Sequence, residues 1–390
     1  MAWGEPTQLV ERFTAVTGFL KPIFPHWKLG SSYEGFVKAL AHSAGLAEQV
    51  IRRLRRQTQK LGVGPRSGRW HAFAVDGSEF AAPRTLENQQ AMGGKGRPDG
   101  MPLVSLTTLY DLQSGLPWAF RVGPGSDSER AHLKSMVGEL PAGALLVADA
   151  GFVGYEFCRG LLVRGQHFLL RVGGNIQLLE SLGKEREVAG QTVYLWPDAQ
   201  QRLSQPPLEL RLIVIQEGTK QPVYLLTSVL DPAQLTDEEA SEFYRQRWGI
   251  EIFYRTTKQT MQRHVLRSRT PENCYQELTW ILLGVWLLQL MTLDKLLAAG
   301  HAPQELSPAR SRTLVRRVMR HATPCRGCGR GLSSLLAGCR QDAYIRRNPK
   351  TTRSYPRKKH QKPPGPPKIK PPTDKQIQQA QQLTPQTIAA

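Results

Sequence analysis

Cysteine is scarce in this chain: there are five in 390 residues, at positions 158, 274, 325, 328 and 339. The number is odd, and a chain this long buries a sufficient core without covalent staples, so a disulfide framework is not expected. Long apolar runs are also missing. The longest, at 280–291, is interrupted by Gln289 and falls short of the roughly 20 residues a membrane-spanning helix needs. A buried core helix accounts for it. The opening MAWGEPTQLVERF has no charged stretch leading into an apolar one, so no secretory signal is expected. These absences predict a soluble, intracellular protein with no membrane partner. Acidic residues are few against basic ones, 32 to 52, which leaves a formal charge of +20. Such a surplus favours nucleic acid as a partner.

The surplus is concentrated. Segment 306–373 holds 18 Lys or Arg against a single acid, Asp342, so the rest of the chain is close to neutral. From 349 onward the sequence is Pro- and Lys-rich (PRKKHQKPPGPPKIKPP), a composition expected to stay disordered. Residues 1–69 have apolar positions at three- and four-residue steps, the helical period. They include a basic patch, Arg52, Arg53, Arg55 and Arg56, that suits either a solvated helix face or DNA contact. From Trp70 the period shortens. HAFAVDGSEF reads as a strand running into Asp76-Gly77, a turn signal. PLVSLTTLYD and LPWAFRVG read as two more strands, and SDSERAHLKSMVGEL as a capped helix. ALLVADAGF reads as a strand ending at Asp149, GYEFCRGLLVRG as a helix and HFLLRV as a further strand. The glycine-rich AMGGKGRPDG lacks phosphate-loop spacing and is expected to be a flexible hairpin tip. Short alternating strands at 174–228 suggest a β-rich insertion, and TDEE at 236–239 is a helix-capping signature. The fold class is α/β with a mixed sheet. The expected organisation is an N-terminal helical region (1–69), an α/β domain (70–300), a basic region (301–348) and a Pro/Lys-rich tail (349–390).

The chemistry is concentrated in YRQRWGIEIFYRTTK. On one continuous helix, Tyr244, Arg247, Glu251 and Lys258 fall on a single stripe, with Arg255 in or beside it. A carboxylate flanked by cations and a phenol suits a metal-binding acid beside phosphates, while a solvated helix with i,i+4 ion pairs would also produce it. The pattern Y-x2-R-x3-E-x6-K resembles the signature of the insertion-sequence-four family of bacterial DDE transposases. VDGSEF and LLVADAGFVGYEF resemble that family's two aspartate motifs, in the same order, and the likeness covers about 70–290.

The resemblance implies a ribonuclease-H-like fold, with Asp76 ending the first strand, Asp149 ending the fourth and Glu251 on a later helix. It implies that these three acids are catalytic and hold Mg²⁺, for which Mn²⁺ can substitute, and that Tyr244, Arg247 and Lys258 contact DNA. The implied partners are double-stranded DNA, as terminal inverted repeats and target, and a second copy of the chain on paired ends. The implied location is the bacterial cytoplasm, at the nucleoid; a catalytically silent, DNA-binding descendant is the alternative function. Taken singly, Asp76 also suits a turn and Asp149 a helix cap. Relatives that cut through a DNA hairpin stack a base on a tryptophan where this chain has Val223; Tyr224 is the nearest ring, and it suits a buried strand position better than a stacking one. His321, Cys325, Cys328 and Cys339 form a thin candidate for zinc.

Overall fold

The structure, a computed structural model, describes residues 2–27, 30, 32–63, 69–93, 100–184, 186–188, 190–216, 221–320, 332–341 and 365–383. Three helices come first: α1 (Leu9–Ile23), α2 (Tyr33–Ala41) and α3 (Ala44–Lys60). Then follow β1 (Ala72–Ala81), α4 (Leu86–Met92), β2 (Leu103–Asp111), β3 (Leu116–Pro124), α5 (Glu129–Met136), β4 (Leu145–Ala148), α6 (Tyr155–Leu162) and β5 (His167–Val172). The expected insertion contains β6 (Gln177–Leu179), β7 (Thr192–Leu195), α7 (Asp198–Arg202), β8 (Leu208–Ile215) and β9 (Val223–Thr227). After it come α8 (Asp237–Gln246), α9 (Trp248–Arg255), a π-helical turn (Thr256–Thr260), α10 (Pro271–Ala298), α11 (Pro308–Arg320), α12 (Leu332–Leu336), β10 (Lys368–Lys370) and α13 (Asp374–Gln382).

The chain divides into two compact units, each assembled from separate stretches of sequence. The first contains Met1–Gly64, Asp76–Met136 and Trp248–Gln341. Its centre is α10, against which α2, α3, α4, β3, α11 and α12 pack. By length and composition α10 could cross a membrane. Its buried side chains, from Cys274 to Leu296, make it a core helix, as the interrupted apolar run suggested. Trp286 is fully buried and its Nε1–H donates to Thr58 Oγ1 at 3.3 Å, which fastens α10 to α3. Arg55 does not join a solvated face: its Nε–H donates to the Trp118 carbonyl at 2.9 Å, whereas Arg52, Arg53 and Arg56 are exposed. β2 and β3 form an antiparallel pair in which β2 is buried along almost its whole length.

The second unit contains Pro65–Val75, Val137–Arg247 and Asp342–Ala390. Its strands run in the order β10-β6-β7-β8-β9-β5-β4-β1, and α8 packs on β4 and β8. Both β1–β4 and β4–β5 are parallel, while β5–β9, β7–β8 and β8–β9 are antiparallel. β1 is shared, its first residues in the second unit and its last in the first. Within this unit parallel and antiparallel neighbours occur together, so its sheet is mixed, as the sequence suggested.

Three local expectations are corrected. Asp76 does not end its strand, because β1 continues through Gly77 to Ala81. Gly77 is not a turn residue but a close approach: a Cβ there would overlap the Glu129 side chain. The helix expected to run from Thr236 through Glu251 towards Gln262 is interrupted at Arg247 and loosens into the π-turn at Thr256–Thr260. A constant 100° step therefore does not carry from Tyr244 to Lys258. In the tail expected to be disordered, 365–383 carries β10, which pairs in parallel with β6, and α13. Strand pairing uses backbone groups that side-chain composition does not rule out, and Thr373 with Gln376 forms a reciprocal cap that starts α13. Gly94 to Asp99 of the glycine-rich loop, and His321, Cys325 and Cys328 of the zinc candidate, lie outside the described residues; Cys339 is buried.

Candidate active site

In the second unit, the buried run Leu145–Ala148 brings the chain to Asp149 at the end of β4. The Asp149 carbonyl accepts the first hydrogen bond of a short 3₁₀ turn, from Phe152 N–H at 3.1 Å, but its carboxylate caps nothing. The helix-cap alternative is thereby removed, and the carboxylate is left 44% exposed. Three side chains converge on it. The Tyr244 hydroxyl donates to Oδ1 at 3.2 Å, an Arg171 guanidinium nitrogen lies 3.8 Å from Oδ1, and one from Arg247 lies 3.9 Å from Oδ2. Arg247 also stacks over the Tyr244 ring, 5.4 Å from its centre. Burial, and next the Asp149 charge, push the Tyr244 phenol upward, while Arg247 and Arg171 oppose the shift. Tyr244 therefore stays a protonated donor at neutral pH.

The first unit holds Asp76, Glu251 and Lys258. Asp76 sits half-buried in β1, where its carbonyl accepts a 2.7 Å hydrogen bond from Tyr254 of α9. Tyr254 is buried, and this burial raises its pKa well above the ordinary value. Glu251 is half-buried on the same helix, between Trp248 and Ile252, whose large apolar side chains are exposed. Lys258, on the π-turn, donates to Ser78 Oγ at 2.8 Å, with its ammonium 4.8 Å from the centre of the Phe80 ring. Burial lowers the Lys258 pKa, and the Glu79 charge counters it. The π-turn matters here, since it is what carries Lys258 when it bonds β1.

Of the residues singled out from sequence, Tyr244 and Arg247 are thus brought to Asp149, and Lys258 is brought to the strand that carries Asp76. Among the described residues, no three His, Cys, Asp or Glu side chains are gathered as a metal-holding group. The donor set nonetheless suits a hard divalent cation, which prefers carboxylate oxygens. The two guanidinium groups at Asp149 stand beyond hydrogen-bonding distance. They balance its charge, and of its contacts with these three side chains only the phenol hydrogen bond occupies a lone pair.

Two features escaped the sequence reading. Arg171 stands at the end of β5, one residue beyond the pairing of Ala148 with Leu170, which sets it beside Asp149. Its one signal was a charge in the otherwise apolar HFLLRV. Trp248 follows Arg247 in sequence and is 56% exposed, which leaves its indole ring accessible. Tyr224, the candidate stacking ring, is half-buried in β9 and pairs with Val172 and Val214.

The family described as transposase DDE domain matches residues 71–287, just over half of the chain. The transposase InsG for insertion sequence element IS4 of Escherichia coli is 27% identical over 302 residues, which cover 70% of this chain and 65% of that protein. The transposase for insertion sequence element IS231F of Bacillus thuringiensis subsp. israelensis is 24% identical over 237 residues, covering 47% and 48%. The chain thus spans less than two thirds of the length of either relative. Among solved structures, the piggyBac transposase synaptic complex with hairpin DNA is similar at 13% identity and a TM-score of 0.41, covering 70% of this chain and 58% of that one.

Proposed function

Because the chain belongs to the transposase DDE domain family, we propose that it cleaves DNA at the ends of a bacterial insertion sequence and joins them to target DNA. The observation that carries this reading is the setting of Asp149: a strand-end carboxylate, released from capping, that meets the tyrosine and arginine of the Y-x2-R-x3-E-x6-K signature. Asp76, Asp149 and Glu251 would hold Mg²⁺, or Mn²⁺ in its place. When bound, paired divalent ions make a water or DNA hydroxyl a better nucleophile and stabilise charge on the leaving oxygen.

The protein's own side chains bind and orient the DNA. Arg171 and Arg247 bring two positive charges to within 3.8 and 3.9 Å of Asp149, where a scissile phosphate would need them. Tyr244, held protonated, offers a hydroxyl to the strand near the break. Lys258 supplies a compact charge for the phosphate beside Asp76. The exposed Trp248 ring offers a face on which a base can stack. Double-stranded DNA is the partner, and a second copy of the chain would complete the complex of two ends.

The test is cleavage of DNA carrying the terminal repeats of the chain's own element. With Mg²⁺ or Mn²⁺, strand breaks at the element ends are expected; with chelator, none. Binding of the ends without metal-dependent cleavage would overturn the catalytic reading in favour of a silent, DNA-binding descendant.

Arg247 separates anchoring from metal binding. Arg247→Ala is expected to slow cleavage of pre-bound ends by roughly 100-fold without changing metal affinity. Arg247→Lys is not expected to rescue it, because an ammonium lacks the planar fork that grips phosphate twice. Arg247 is 4% exposed, so a thermal melt belongs beside the assay. A lower melting point with normal cleavage would make Arg247 a structural partner of Asp149 only.

A further inference from the structure

Within the first unit, the π-turn that carries Lys258 is suspended between two attachments to β1. Before it, the Tyr254 hydroxyl bonds the Asp76 carbonyl. After it, the Leu266 N–H donates to the Ala81 carbonyl at 2.8 Å, and Val265 bridges Ala81 in parallel. The segment between these attachments is much longer than the stretch of β1 beside it. The excess is taken up by the π-turn and by Gln262, whose φ of 59° lies in the left-handed region. Asp76, Ser78 and Phe80 alternate along β1 and so share one of its faces. Lys258 donates to Ser78 and stands over the Phe80 ring, which sets its ammonium on the face that carries the Asp76 side chain.

What holds this turn can be read from its carbonyls. Thr256 accepts from Met261 N–H at 2.8 Å and Gln259 from Gln262 N–H at 3.2 Å, while Thr257 and Lys258 share the Arg263 N–H at 3.3 and 3.1 Å. The carbonyl of Thr260, the last residue of the turn, accepts instead from a side chain, the Arg312 guanidinium of α11. A helix end leaves carbonyls that need donors from outside it, and a cation there also meets the negative end of the peptide dipoles. α11 gives Arg312 a fixed base. Leu314 and Val315 are buried, the Thr292 hydroxyl of α10 donates to Ser311 Oγ at 3.1 Å, and Arg316 donates to the Trp3 and Gly4 carbonyls at 2.6 and 2.8 Å.

We propose that Arg312 is a positioning residue: by bonding the Thr260 carbonyl it keeps the π-turn in the shape that lays Lys258 on the Asp76 face of β1, without touching DNA itself. Its consequence for cleavage rests on the reading of Lys258 as a phosphate contact.

The test is the nuclear magnetic resonance signal of the Lys258 ε-methylene group in the full chain without DNA, labelled with carbon-13 lysine and assigned by its loss in Lys258→Arg. Over the Phe80 ring this signal should stand upfield of those of exposed lysines. Arg312→Met keeps the aliphatic stem and removes the donors, so it should move the signal to the exposed position. Arg312→Ala is the second variant, and a thermal melt of each checks folding. Arg317→Met removes the same charge from an exposed site on the same helix and should leave the signal in place. In cleavage of pre-bound ends, Arg312→Met should be slower by about a hundredfold, the scale for a group misplaced by an ångström. Combined with Lys258→Ala, it should be no slower than Lys258→Ala alone. A Lys258 signal that stays upfield in folded Arg312→Met and Arg312→Ala overturns the positioning role, whatever the cleavage rate. If the signal moves but Lys258→Ala cleaves normally, the positioning stands and the reading of Lys258 as a phosphate contact fails.

Discussion

Asp149→Asn is expected to abolish metal-dependent cleavage while leaving DNA binding unchanged or slightly tighter. The substitution keeps the shape of the side chain and leaves an amide oxygen to accept the Tyr244 hydrogen bond. It removes a negative charge that a phosphate would otherwise approach, and it leaves Arg171 and Arg247 with more positive potential for DNA. On the proposed reading, catalysis would lose a ligand for an ion that stabilises the transition state by several kcal/mol, so the rate should fall by about a thousandfold or more. Asp76→Asn and Glu251→Gln should behave alike. Fluorescence anisotropy of labelled ends across a salt series, read beside cleavage on the same samples, checks both halves. Loss of binding in parallel with cleavage would make Asp149 an anchor for the two arginines and not a metal ligand.

The second large effect concerns stability. Arg12 of α1 and Glu277 of α10 form an ion pair at 3.1 Å, with side chains only 2% and 3% exposed. Glu277 also accepts the backbone N–H groups of Arg267 and Ser268 at 2.8 and 2.9 Å, and Arg12 donates to the carbonyls of Pro6 and Thr7. Arg12→Ala would leave a buried carboxylate with no counter-charge from its partner, a loss of about 3–5 kcal/mol. For a unit of this size that corresponds to a fall in melting temperature of roughly 10 °C. Replacing both partners by methionine should restore much of it, because desolvating two charges offsets most of their attraction. Calorimetry of the three variants decides the matter; a melt unchanged in Arg12→Ala would show that solvent reaches Glu277 and the pair adds little.

Most of the sheet was legible because its strands are short apolar runs between turn residues, and the TDEE cap marked the start of α8 where it lies. What was not legible depends on contacts between residues distant in sequence. Asp76-Gly77 reads locally as a turn, and only the position of Glu129, some fifty residues later, explains the glycine as clearance. The interruption at Arg247 leaves no mark in the helical period, since Arg247 keeps near-helical dihedrals. Close by, Gly249 lies where a Cβ would come within 3.1 Å of Tyr110. Arg171 reaches Asp149 through the pairing of β4 with β5, a register that one sequence does not display. The candidates Tyr244, Arg247, Glu251 and Lys258 were singled out by a spacing signature, which survives changes in local geometry that defeat the helical-stripe argument.

The pairing of β10 with β6 bears on when the second unit can fold. Lys368 joins Gln177, and Gln379 bonds the Gln201 carbonyl 178 residues earlier in the chain. Closing so long a loop costs entropy before any contact repays it, and distant pairings of this kind slow folding. β4, β5, β8 and β9 can associate as soon as 145–227 has been synthesised, but the β6 edge stays unpaired until 368–370 emerges from the ribosome. The nascent chain therefore carries an open strand edge for much of its synthesis, and β10, only three residues long with a lysine at each end, is the late closure that ends this exposure.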